Sequence, residues 1–127
     1  MFDIDQDPFR EKQAVELYLK RTTNSYKKLS PTDVDFRILS ESKSLIGYVE
    51  VKVLNSVMSN SFPLTVEARK IIKLRDKRLN AVMIWSCLDG ILYLPIDNLY
   101  GDTDWDENTG ELIICYKNKK PFKYVRA

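Results

Sequence analysis

The sequence predicts a single α+β (α/β) domain in which a mixed central β-sheet is flanked by helices, in the order α-β-β-α-β-β with a β tail. Residues 8–21 place apolar side chains at helical spacing. Residues 34–38 and 45–54 alternate like strands on either side of a short polar turn. Residues 81–88 form an unbroken apolar run that stops at Asp89-Gly90. A chain of 127 residues has room for one hydrophobic core rather than two, so residues 1–127 are read as one domain.

Each element has a local reason. Asp7 is placed to cap the first helix and Pro8 suits its first position, with Phe9, Val15 and Leu19, beside Ala14 and Tyr18, as its apolar face. Residues 22–32 read as a polar loop. Val34, Phe36 and Ile38 then alternate with Asp35 and Arg37, and a Ser-rich turn leads into LIGYVEVKVL, so the two strands make an antiparallel hairpin. Residues 55–62 read as loop. Residues 63–79 read as a second helix, with Val66, Ile71 or Ile72, and Leu74 or Leu79 inward, and Arg69, Lys73 and Lys77 outward. The run at 81–88 suits a strand covered on both faces, and Asp89-Gly90 turns it into a partner strand. Residues 97–110 read as a polar loop before a last short strand at 111–117.

Composition narrows the chemistry. The chain has no histidine, which removes histidine-based zinc sites, Ser-His-Asp and Cys-His catalysis and imidazole bases. Cys87 and Cys115 lie in apolar runs without a cysteine at metal-site spacing, and are read as small buried residues. The acidic start lacks the pattern of a secretory signal, and no apolar run approaches membrane-spanning length, so a cytoplasmic protein is expected. Net charge is only +2, but residues 69–78 hold six basic residues against one acid, and residues 117–126 hold five and none. That segregation suits a polyanionic partner. The acidic stretch with Asp102, Asp104, Asp106 and Glu107 lacks the glycine and flanking helices of a calcium loop and is read as solvated.

The chemistry is concentrated between Asp33 and Lys52. In the second strand Glu50 and Lys52 are two apart and share a face, while Val49, Val51 and Val53 point the other way. Charges on a core-grade strand are costly unless paired or liganded. Asp33, Asp35 and Arg37 share a face of the first strand, so the hairpin can bring an Asp to the Glu-x-Lys. Two carboxylates beside a lysine suit phosphodiester hydrolysis: they hold a hard cation such as Mg²⁺, and the lysine steadies charge or orients water.

Asp35-Phe36-Arg37-Ile38 followed by Gly47-Tyr48-Val49-Glu50-Val51-Lys52, with a later lysine-rich helix and an apolar hairpin, resembles the PD-(D/E)XK, or restriction-endonuclease-like, nuclease superfamily, and within it short phage-type members. The resemblance covers roughly residues 8–96 and implies an α-β-β-β-α-β core. It implies Asp35 and Glu50 as metal ligands, with Asp33 the alternative to Asp35, and Lys52 as catalytic lysine. An acid on the first helix, Glu11 with Glu16 behind it, would support the metal, and Lys70, then Lys73, would assist from the second helix. The chain departs from the family in lacking a Pro-Asp dipeptide and in the length of its 55–62 loop.

The expectation is therefore a Mg²⁺- or Mn²⁺-dependent endodeoxyribonuclease, on branched or junction DNA in one version, acting as a homodimer. Arg69, Lys70, Lys73, Lys27 and Lys28 would hold the DNA backbone, with Tyr26 as a candidate stacking ring and Trp85 a core residue. The alternative is a non-catalytic nucleic-acid- or protein-binding module on the same fold, such as a phage accessory or inhibitor protein.

Overall fold

The computed structural model describes residues 7–28, 36–77, 79–96 and 101–127. Helix α1 spans Pro8–Leu19, and the Asp7 carboxylate caps it by accepting the Arg10 N–H at 3.2 Å. Strands β1 (Ser25–Lys28), β2 (Phe36–Leu39) and β3 (Leu45–Val53) follow, then a 3₁₀ turn at Met58–Asn60 and β4 (Leu64–Glu67). Helix α2 is Ala68–Asp76. After it come β5 (Asn80–Cys87), β6 (Gly90–Pro95), β7 (Asp102–Asp106), β8 (Glu111–Tyr116) and β9 (Lys123–Arg126).

Among the described residues six strands form the main sheet, in the order β1-β2-β3-β5-β6-β9. All neighbours are antiparallel except β3 and β5, so the sheet is mixed, as the sequence implied. The expected hairpin is there, with Phe36 opposite Val49 and Arg37 opposite Tyr48. At the parallel seam a Cβ on Gly47 would stand 2.6 Å from the Asn80 carbonyl oxygen, so only glycine allows that approach.

The two faces of this sheet build two cores. Val49, Val51, Val53, Val82, Ile84 and Ile91 pack with Ala14, Val15 and Leu19 of α1. On the opposite face Tyr48, Met83, Trp85, Leu92 and Leu94 meet Ile71 and Leu74 of α2, Leu64 and Val66 of β4, and Tyr116 of β8. Alternation along β3 and β5 is what lets one sheet serve both layers.

Four expectations need correction. Residues 25–28, read as loop, pair with β2 as an edge strand. The second helix starts five residues later than expected, because Leu64 and Val66 are buried while Thr65 and Glu67 are less so, a period of two. Residues 102–106, also read as loop, form β7, which with β8 and β4 makes a separate three-stranded sheet. Phe9 is 69% exposed: four residues before Val15 on the helix face is Glu11, and it is Glu11 that is buried. Ile71 and Leu74, rather than Ile72 and Leu79, form the inner face of α2. Cys87 is buried and Cys115 half-buried, both as free thiols. Among the described residues no helix is long and apolar enough to cross a membrane.

Candidate active site on the polar face of β3

Glu50 is 6% exposed in the middle of a strand that is otherwise apolar. Its side chain turns toward the α2 layer, where the Lys70 Nζ stands 3.7 Å from its Oε1. The same ammonium is 3.7 Å from Oε2 of Glu67, at the end of β4. A buried carboxylate without a cation would be strongly disfavoured, and Lys70 supplies that cation to two carboxylates at once.

Lys52, two residues along, is held by β4. Its Nζ donates to the Thr65 carbonyl oxygen at 3.2 Å and to the Thr65 hydroxyl at 3.0 Å. The same carbonyl accepts the indole N–H of Trp85 at 3.0 Å, and Trp85 is the register partner of Lys52 across the parallel seam. One peptide carbonyl thus fixes the ammonium against a fully buried ring. Strand β4 exists because Leu64 and Val66 seek the core, and by alternation it turns Thr65 and Glu67 toward the two lysines.

Glu67 was absent from the sequence-level site. Burial pushes its carboxyl toward the neutral form, but Lys70, a backbone N–H, Lys52 and Arg69 outweigh it, and its pKa lies below the ordinary value. It stands at the N-cap of α2 yet its side chain does not cap the helix. Its Oε2 is buried without a hydrogen bond. The signal that could have exposed it was the Leu-Thr-Val-Glu alternation, which the apolar spacing of the following helix masks.

The other candidates fall in separate places. Asp33 and Asp35 lie outside the described residues; the chain neighbour of Asp35 is Phe36, paired with Val49, itself the neighbour of Glu50. Glu11, 5% exposed, belongs to α1 and accepts from Lys28 Nζ at 3.2 Å. Lys28 also lies 4.7 Å over the Phe36 ring, beside the exposed Lys27. The Tyr26 ring packs edge-on against Phe36, and its hydroxyl donates to Glu16 at 3.1 Å, which ties Glu16 of α1 to the edge strand. Arg69 is exposed and its Nε donates to Glu111 at 2.6 Å. Lys73 is half-buried on α2. Among the described residues no three His, Cys, Asp or Glu side chains converge.

No family model matches the chain, and no curated protein matches it. Among solved structures it is similar to that of Archaeoglobus fulgidus Hjc, a Holliday junction resolvase from an archaeal hyperthermophile. The TM-score is 0.51 at 14% identity, over 84% of this chain and 87% of that one. The fold is restriction-endonuclease-like. Its α-β-β-β-α-β core is α1, β1, β2, β3, α2 and β5, with β4 interposed before α2. The edge strand β1, unread in the sequence, supplies the first of the three strands that precede α2 in that core.

Proposed function

We propose that the chain is a divalent-cation-dependent endonuclease that hydrolyses DNA phosphodiesters, with branched or junction DNA as its substrate class. The observation that carries the reading is Glu50 and Lys52 on one face of the central strand of a restriction-endonuclease-like fold, both turned into a polar interior. A core strand gains nothing in stability from such a pair over two apolar residues, so its presence there points to chemistry.

The residues fit a hard cation. Glu50 offers carboxylate oxygens, Glu67 holds the Lys70 ammonium beside them, and Asp35 is the aspartate the sequence puts nearest to Glu50's strand neighbour. Mg²⁺ or Mn²⁺, when bound, supplies Lewis acidity at the phosphate and activates water. Lys52, fixed by Thr65, steadies negative charge on the phosphate as it is attacked or orients the attacking water. Glu11 assists from the α1 side as the supporting acid. Arg69, Lys73, Lys27 and Lys28 hold the DNA backbone, while Lys70 stands inside the site between Glu50 and Glu67. A domain of this size reaches one strand at a time, so paired cuts across a junction need two copies about a two-fold axis, and a homodimer is part of the proposal.

The test is cleavage of supercoiled plasmid and of a four-way junction with Mg²⁺, Mn²⁺ or EDTA, for wild type, Glu50→Ala and Lys52→Ala. Cation-dependent cutting lost in both variants upholds the reading. Well-folded wild type that cuts neither substrate moves the assignment to a non-catalytic binding module on the same fold.

A further inference from the structure

Lys70 stands between two acids, 3.7 Å from Glu50 and 3.7 Å from Glu67, with only 14% of its side chain exposed. Carboxylate–cation distances of about 2.0–2.6 Å are what a divalent ion demands. A metal ion at Glu50 and an ammonium already beside that carboxylate are therefore rivals for the same oxygen atoms. A buried ammonium pushed off one acid needs another partner, because an unpaired charge in this interior is costly. Glu67 is built for that purpose. It stands at the helix N-cap without capping, its Oε2 is buried without a hydrogen bond, and Lys70 is three residues on, within one helical turn.

We propose that Lys70 is the resident counter-ion of Glu50 in the metal-free protein, and that Glu67 is the positioning residue that retains Lys70 when a divalent cation takes Glu50. The proposal deepens the nuclease reading and rests on it for the use of the cation. Glu67 acts through Lys70, so its influence on the cation depends on Lys70 being present. The arrangement also sets a cation beside Glu50 before metal arrives, which lets a core strand carry a carboxylate without opening.

The test is Mn²⁺ affinity measured by calorimetry on the full chain, without DNA, in a double-mutant cycle of Lys70→Met and Glu67→Gln. Near-UV circular dichroism checks the fold, and Arg75→Met serves as a control for losing one positive charge on the same helix. Lys70→Met should raise Mn²⁺ affinity about tenfold, a gain that unfolding cannot mimic. Glu67→Gln should lower it about tenfold when Lys70 is present and about twofold or less in the Lys70→Met background, a coupling within the range for contacting residues. Arg75→Met should change it less than twofold. Equal effects of Glu67→Gln in both backgrounds would overturn the proposal, as would a Lys70→Met affinity no higher than wild type. Because no DNA is present, Mn²⁺ binding that follows this pattern in a protein that cuts nothing would uphold the counter-ion exchange while removing the nuclease reading.

Discussion

On one face of β3, Val49, Val51 and Val53 are each 1% exposed and pack beneath α1. On the other face, Glu50 and Lys52 turn into the layer built by α2 and β4, where every charge is met by a partner. The same nine residues therefore do two kinds of work. The valine face is what hydrophobic burial alone would choose, and it holds the first helix down. The charged face would be better filled with hydrocarbon if folding were its only purpose, and it is held in place by two residues of a strand from a second sheet. Under the proposed function, stability and chemistry share one strand by using opposite sides of its pleat.

If that division is real, substitutions on the two faces should separate activity from stability. Glu50→Gln should lower cation-dependent cleavage by about a thousandfold or more, since it removes the charge proposed to hold the metal, while its urea midpoint stays near that of wild type. Single-turnover cleavage beside equilibrium unfolding reads both. Val51→Ala should do the reverse, costing about 2 kcal/mol of unfolding free energy while cleavage per folded molecule stays within about twofold. A Val51 variant that lost cutting without losing stability would break the comparison.

Smaller effects sharpen it. Thr65→Val removes the hydroxyl that accepts from Lys52 at 3.0 Å but leaves the carbonyl at 3.2 Å. Cleavage should fall by about tenfold with a stability change within about 1 kcal/mol. Tyr116→Phe should be the mildest. The Tyr116 hydroxyl is buried with no hydrogen bond, and burial, opposed by Arg75, pushes its pKa up to about 12. The ring keeps its edge-on contacts to Trp85 and Phe122 in the variant. Thermal unfolding should show a change within about 0.5 kcal/mol, or a slight gain, because an unpaired buried hydroxyl is removed.

Much of this was legible in the sequence where periodicity and charge disagreed. Glu50 and Lys52 stood out because a β-branched run has no packing reason to carry them, and the hairpin of β2 and β3 followed from alternation on both sides of a polar turn. Helix α1 was legible from Asp7 and Pro8, although its inner face was misjudged at Phe9, since an apolar residue in the first turn is a weaker guide than the spacing of Glu11, Ala14 and Val15. The edge strand β1 was hidden because Ser25, Lys27 and Lys28 offer no apolar alternation; its pairing comes from the β2 backbone. The second sheet was hidden for a related reason. Strand β7 is exposed along most of its length, with Trp105 58% exposed, so its alternation is not written in hydrophobicity. Strand β4 is four residues long and runs directly into a helix with the same apolar density. With β4 unread, Thr65 and Glu67, the residues that hold the two lysines, could not be placed beside them.

The most direct test of the central claim, that the charged face of β3 is a DNA-cutting site, is to measure binding and cleavage on one four-way junction for wild type and Lys52→Met. The account predicts cation-dependent cutting by wild type, and a variant that binds the junction within about threefold of wild type yet cuts it at least a hundredfold more slowly. A Lys52→Met protein that cuts as fast as wild type would contradict it, and would reduce Glu50 and Lys52 to an ion-paired patch inside an ordinary core.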